Sequence, residues 1–502
     1  MPSSRASGLL LHPTSLPGPF GIGALGSEAF AFVDFLATAG QAVWQILPLG
    51  PTGYGNSPYS AYSAFAGNPL LICLERLVEV GDLDPADIDV EPMPEGRVNF
   101  NYAQALKGRL LHKAALRFRT SASPERQIAF AEFCARHASW LNDFAFFMAV
   151  RRKLGDKPWQ SWPKELRQRV DSALRQWGTQ LSEPIHIQKY QQFIFFEQWF
   201  ALKAYANSRK VQILGDIPIF LAGDSADVWA NAHAFHLDAD GHADPVAGVP
   251  PDYFSASGQR WGNPLYRWER MAQDRFAWWR ERFRWNLAQT DLVRVDHFRG
   301  FSACWAIPAA EQTAINGRWV HVPGEALFAA LAEDLGQPGI IAEDLGVITP
   351  EVEALRDRFG FPGMKILQFA FGSDAGNPYL PHNIGVNSVV YTGTHDNDTS
   401  LGWWQQLGRT EKARVRAYLG GSGRNMPWDL TRLAMASVAR LCVLPVQDIL
   451  GLDSGGRMNT PGVADGNWGW RIPAGALTPE LAASLAEMTS IYGRCNQAKA
   501  RG

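Results

Sequence analysis

Three acidic residues stand where a chemist would look first: Asp296 in Arg294-Val295-Asp296-His297-Phe298-Arg299-Gly300, Glu343 in Ile341-Ala342-Glu343-Asp344-Leu345-Gly346, and Asp396 in Thr394-His395-Asp396-Asn397-Asp398-Thr399. Taken singly, a loop acid is most often a solvated carboxylate or a helix cap. Here each follows a short apolar run that reads as a strand, and polar groups at the C-terminal ends of parallel strands converge on one rim of a barrel. Carboxylates without a metal or cofactor motif point to glycosidic-bond chemistry. One attacks an anomeric carbon while another protonates the leaving oxygen and later deprotonates the acceptor. Such an acid must keep its proton near neutral pH, which burial and neighbouring negative charge favour. Arg294, two residues before Asp296 in a strand, points to the same side and can hold a nucleophile ionised; the plainer reading is a core ion pair.

An internal control sharpens the choice of acids. Ala-Glu-Asp-Leu-Gly occurs twice, at 332–336 and 342–346. The first copy follows Leu327, Leu331 and Leu335 at helical spacing, which puts Glu333 on a helix ended by Gly336. The second follows Gly339-Ile340-Ile341-Ala342, strand-like, which delivers Glu343 to the rim. Only Glu343 is a catalytic candidate.

His297 and His395 each adjoin an Asp, but their spacing matches no zinc pattern. As neutral donors to sugar hydroxyls they make better sense, and no metal or cofactor is expected. Gly21-Ile22-Gly23-Ala24-Leu25-Gly26 fits the GxGxxG text, yet no acid ends the next strand, Ile46-Leu47-Pro48-Leu49. It reads as a weak dinucleotide signal, better taken as a tight loop on the rim.

The elements that must position these groups follow a regular rhythm. Gly8–Leu11, Val43–Leu47, Val211–Asp216, Leu292–Asp296, Gly339–Glu343, Met364–Gln368, Val389–Thr392 and Leu441–Leu444 are eight short apolar runs, the first two separated by an amphipathic helix from Ser27 to Gly40. Several run straight into a polar group, as at Asp216, Asp296, Glu343 and Gln447-Asp448. The expected fold is therefore α/β, a (β/α)8 TIM barrel with a large helical insertion and long active-site loops. An open doubly wound sheet fits less well, because it gathers its ligand at one switch point. About 130 residues between the second and third strands exceed any simple connection. The domain reading is 1–74 barrel start, 75–205 helical insertion, and 206–502 remaining barrel, with loops inserted at about 220–282.

Composition narrows the class further. The 502 residues are 46% hydrophobic and 19% charged, enough apolar material for a large core. Lys+Arg total 47 against 49 Asp+Glu, leaving no basic excess for a nucleic-acid partner. Five scattered cysteines form no CxxC pair and read as reduced thiols of a cytoplasmic protein. No apolar run approaches a membrane span, and four apolar residues before His12-Pro13 are too few for a signal peptide. Trp (19) outnumbers Tyr (12), which suits both a large core and a cleft that stacks on sugar rings. Nothing in the pattern sets an oligomeric state.

The chain resembles the amylomaltases, the 4-α-glucanotransferases or disproportionating enzymes of the α-amylase superfamily (glycoside hydrolase family 77). The matching segments are long and ordered: Trp44-Gln45-Ile46-Leu47-Pro48-Leu49-Gly50-Pro51-Thr52, Ser57-Pro58-Tyr59-Ser60, Gly215-Asp216-Ile217-Pro218-Ile219, Pro250-Pro251-Asp252-Tyr253-Phe254-Ser255, Gly258-Gln259-Arg260-Trp261-Gly262-Asn263-Pro264, the three acid motifs and Asn467-Trp468-Gly469-Trp470-Arg471. The helical insertion carries no matching motif. The resemblance implies that Asp296 is the nucleophile, Glu343 the general acid/base and Asp396 the transition-state stabiliser. It implies sugar contacts from Arg294, His297 and His395 at the cleavage point, and from Ser57, Tyr59, Asp216, Asp252, Gln259, Trp261 and Asn467 along a glucan cleft. Tyr253 and Phe254 match a loop folding over the chain, and Tyr54 a secondary glucan site. The implied partners are α-1,4-glucans and maltooligosaccharides. An α-1,4-glucan hydrolase of the amylase type is the alternative within enzymes, and a glucan-binding protein without catalysis the alternative outside them.

Overall fold

The computed structural model describes residues 4–495 apart from 94–95 and 252–254. The expected cleft residues Asp252, Tyr253 and Phe254 therefore lie outside the described residues. In chain order the strands are β1 (Ala6–Leu10), β2 (Val43–Gln45), β3 (Gln212–Ile217), β4 (Val246–Val249), β5 (Gln259–Pro264), β6 (Leu292–Val295), β7 (Ala303–Ile307), β8 (Arg318–His321), β9 (Ile340–Ala342), β10 (Gly363–Ile366), β11 (Ser388–Tyr391) and β12 (Leu441–Pro445).

β1, β2, β3, β6, β9, β10, β11 and β12 close into a parallel barrel whose strands neighbour one another in chain order, the last meeting the first. These are the eight apolar runs read from the sequence. Their side chains are buried almost without interruption, as in Leu292-Val293-Arg294-Val295, because helices cover one face and the barrel interior the other. Helix Ser27–Thr38 shows how a connection is stopped: Gly40 adopts φ +70, the Gly40 amide donates to Ala37 O and Gln41 to Leu36 O at 2.8 Å, a Schellman ending.

Between β2 and β3 run helices Leu74–Glu79, Phe100–Ser121, Pro124–Arg136, Ala138–Lys153, Lys164–Arg167, Asp171–Gln180 and Ser182–Ser208. Their apolar faces share one continuous core with the barrel, in which Trp140, Phe147 and Phe193 belong to the same cluster as Trp44 and Leu214. The stretch read as long loops holds more regular structure than expected. β4 and β5 pair with β7 and β8 in a four-stranded antiparallel sheet, order β5-β4-β7-β8, standing over the rim.

The glycines of the GxGxxG text have packing reasons. A Cβ on Gly23 would sit 2.1 Å from Pro13 O, and one on Gly26 2.7 Å from Cys73 Sγ. At the seam of the barrel, buried Arg494 donates to Ala6 O at 2.9 Å, Met435 O at 2.8 Å and Ser437 O at 2.8 Å, tying the C-terminal region to β1 and the turn before β12. No helix among the described residues is long and apolar enough to cross a membrane.

Candidate active site

Strand register brings the first two acids together. Val295 of β6 pairs with Ala342 of β9, so the next residue on each strand, Asp296 and Glu343, leaves the barrel beside the other. Asp216 of β3 pairs with Arg294 of β6 on the opposite flank. The loop after β11 carries Asp396. Its turn is pinned by Asn397 Oδ1, which accepts from Thr394 N at 2.9 Å and Thr394 Oγ1 at 3.0 Å. Buried Asp448, in the short helix Val446–Ile449 that follows β12, accepts from Ser400 N at 2.7 Å and Ser400 Oγ at 2.6 Å, anchoring the far side of the same loop.

Arg294 organises the floor. Its Nη2 lies 3.1 Å from Asp296 Oδ1 and 3.8 Å from Glu343 Oε2, while Nη1 donates to Asp216 Oδ2 at 2.6 Å. Asp216 also accepts from the Tyr59 hydroxyl at 2.7 Å. One buried cation thus faces three carboxylates. Burial alone would lower the Arg294 pKa, but Asp216, Asp296 and Glu343 more than reverse this and keep the guanidinium charged. Asp216, expected along the cleft, has a side chain with no solvent exposure that meets Arg294 and Tyr59. The reason is its position inside β3 rather than past the strand end.

Burial pushes both acids up, Asp296 to about 7 and Glu343 to about 8; Arg294 opposes the rise in each, while Asp216 and Asp396 add to it at Asp296, and Asp296 and Asp396 at Glu343. Arg294 lies nearer Asp296 than Glu343, which favours the ionised form at Asp296 and leaves the proton to Glu343. The backbone amide of His297 donates to Glu343 Oε2, and His297 takes a left-handed φ of +46 to present it. Strain at a non-glycine residue beside reacting groups is typical of functional loops. Burial lowers His297 to about 4, helped by Arg299, and burial likewise lowers His395, so both rings are neutral at pH 7.

The three acids open into a cleft of about 630 Å³ that also receives Tyr54, Ser57, Tyr59, Gln259, Trp261, His297, His395 and Asn467. Tyr59 stacks on His395 at 5.3 Å, with an interplanar angle of 14°, and Trp261 meets His297 edge-on at 4.8 Å. Tyr54 stands at 81% exposure on the rim. Asn467 Oδ1 accepts from Thr460 N at 2.9 Å, folding the 460–467 loop over one end. The control acid Glu333 is elsewhere, on exposed helix Gly324–Leu335, paired with Arg275.

Two groups escaped the sequence reading. Asn459 Nδ2 donates to Asp396 Oδ1 at 2.6 Å, and Arg457 Nη2 to the Asp396 carbonyl at 2.6 Å. Both sit in an irregular loop after β12, with no periodicity to mark them. Trp468, within a quoted motif but given no role, takes φ +62 and packs 5.9 Å from both Tyr59 and His395. Among the described residues no cluster of His, Cys, Asp and Glu is arranged to hold a metal.

This geometry can be set beside known proteins. A family model described as 4-alpha-glucanotransferase matches residues 11–478. A 4-alpha-glucanotransferase of Thermus thermophilus is 53% identical over 498 residues, covering 98% of this chain and 99% of the relative. One from Synechocystis is 52% identical over 499 residues, with the same coverage of each chain. The solved structure of amylomaltase from Streptococcus agalactiae in complex with acarbose superposes with TM-score 0.94 at 40% identity, covering 98% of this chain and all of the other. The chain belongs to the 4-alpha-glucanotransferase family.

Proposed function

We propose that the cleft transfers segments of α-1,4-glucan between maltooligosaccharide or starch chains by a retaining double displacement. The observation carrying this reading is the single Arg294 nitrogen in reach of both Asp296 and Glu343, which keeps an attacking and a protonating carboxyl on one sugar. Retaining pairs sit roughly 5–5.5 Å apart, closer than the inverting pairs that must admit a water.

In the first step the Asp296 carboxylate attacks the anomeric carbon while Glu343 gives its proton to the departing 4-oxygen. A glucosyl–Asp296 ester results, and the leaving chain carries away the proton. In the second step Glu343 takes a proton from the 4-hydroxyl of an acceptor, whose oxygen displaces Asp296. Asp396 accepts hydrogen bonds from ring hydroxyls as positive charge grows at the anomeric carbon. Neutral His297 and His395 donate or accept without adding charge. All five cysteines are unpaired, which fits a reducing compartment such as the cytoplasm.

Asp396→Asn should lower kcat by roughly 10²–10³-fold and change KM little, because the interaction strengthens only in the transition state. Initial rates on maltotriose check this; a change confined to KM would make Asp396 a plain binding residue.

Transfer over hydrolysis is the reading that the relatives' names favour, and the cleft gives it a physical basis. Oriented acceptors reach effective molarities of roughly 10⁵–10⁸ M, enough to outcompete bulk water for the ester. Given maltotriose, the protein should yield glucose with a ladder of shorter and longer maltooligosaccharides while total reducing ends stay nearly constant. Steadily rising reducing ends would instead make the protein an α-1,4-glucan hydrolase.

A further inference from the structure

Exposed aromatic surface is concentrated. Of the four large aromatic side chains exposed among the described residues, three line the catalytic cleft: Tyr54, Trp261 and Trp319. Tyr54 and Trp261 lie in segments already assigned to glucan contact. Trp319 does not, and no sequence motif marks it. It comes from β8, the outer strand of the antiparallel sheet, and is 39% exposed.

Its mounting is rigid. Trp319 pairs directly across the hairpin with Trp305 of β7, and the two indoles meet at 5.1 Å and 65°. Trp305 is itself fixed by an Nε1–H donated to Ala314 O at 2.9 Å. A Cβ on Gly317, in the connection before β8, would lie 2.2 Å from Trp305 Nε1, so the turn is pressed against that ring. The Arg299 guanidinium lies over the Trp319 ring at 3.8 Å. Arg299 in turn donates to Val347 O in the loop that follows Glu343. A chain of contacts therefore runs from the acid/base through 345–347 and Arg299 to the indole. His395 and Trp468 occupy other lining of the cleft, joined to Tyr59, and Asp396 is held there by Arg457 and Asn459.

A flat indole held by a cation–π contact, its neighbouring ring locked by a hydrogen bond, has lost little further freedom to give up on binding, and pyranose faces stack on such surfaces. Its side of the cleft decides which sugar. Glu343 protonates the departing oxygen and later deprotonates the incoming hydroxyl, so the sugar beyond Glu343 is the leaving chain in one step and the acceptor in the next. We propose that Trp319 is a stacking platform for the acceptor-side glucan, one or more sugars beyond the cleavage point, and that it sets the partition of the ester between sugar and water. The proposal rests on the transferase reading of the same cleft.

Trp319→Ala and Trp319→Phe test it, with maltotriose as donor and glucose or maltose as added acceptor. The Ala variant should raise the acceptor KM roughly five- to tenfold, the loss expected for one aromatic stacking contact. It should also increase the share of turnovers that release a reducing end. Phe, which keeps a planar face, should recover most of both. The proposal is overturned if acceptor KM and the hydrolytic share in Trp319→Ala stay within twofold of the unchanged protein. It is equally overturned if Phe recovers neither quantity, since a planar face would then not be what the acceptor reads. Failure of the underlying reading is visible separately, as rising reducing ends from maltotriose in the unchanged protein before any variant is made.

Discussion

Asp296→Asn is expected to lose on the order of 10⁴-fold or more in turnover of maltotriose while remaining folded. The amide is nearly isosteric and still meets Arg294, but it cannot form the ester. The guanidinium keeps its partner Asp216 at 2.6 Å, so the floor has no reason to collapse. A stereochemical readout goes further than a rate. In Asp296→Ala, azide supplied with an α-glucosyl fluoride should fill the vacated position and give the β-glucosyl azide, since it attacks from the nucleophile's side. In Glu343→Gln, azide should instead intercept the ester from the opposite side and give the α-azide. The anomeric proton resonance distinguishes the two products. Most activity surviving in Asp296→Asn, or the same azide from both variants, would remove Asp296 from the nucleophile's role.

Glu343→Gln should cost roughly 10²–10⁴-fold on maltotriose, whose leaving oxygen needs a proton, and far less on a glucosyl fluoride during formation of the ester. The pH dependence has a definite sign. The competent form of Glu343 is protonated, and burial places its loss at about 8, so bond cleavage should fall as pH rises through that value. On the acid side the rate should fall as Asp296, raised to about 7, gains its proton. The Gln variant, assayed for ester formation from the fluoride, should lose the alkaline fall and keep the acid one. Glu333→Gln is the matched control, with the same pentapeptide on an exposed helix. It should leave rates within about twofold, because an exposed pair such as Glu333–Arg275 contributes little. Similar losses at both positions would contradict the different placement of the two copies.

The barrel was legible because each strand is a buried apolar run stopped by a polar residue, and the rim was legible because those polar residues follow at once. Arg294 and Asp296 could be put on one side from strand alternation alone, and they are 3.1 Å apart. The antiparallel sheet was not legible. β5 reads Gln259-Arg260-Trp261-Gly262-Asn263-Pro264, mostly polar and ending in Gly, Asn and Pro, residues that normally mark a turn. Its strand character comes from pairing with β4, which a local pattern does not contain. Arg457 and Asn459 were missed for a related reason. Their partner Asp396 is 61 and 63 residues away, and only the closed barrel brings the loop after β12 over the loop after β11. Asp216 differs in another way: it lies one step inside the end of β3, and its side chain is fully buried against Arg294.

The seam held by Arg494 has a consequence for how the chain reaches this state. β1 is made first, yet one of its two neighbours, β12, begins at Leu441, and the hydrogen bond from Arg494 to Ala6 spans 488 residues. At about 5–20 residues per second, a ribosome takes roughly 25–100 s to pass from one partner to the other. Through that interval β1 can pair with β2 on one side, while its other edge offers unsatisfied backbone groups to any strand that arrives. Closure is then the last and most distant pairing of all, the kind that topology makes slow. Until the segment from Leu441 to Pro445 has been made, the β12 side of β1 lacks its native partner, and any shorter chain keeps that edge open.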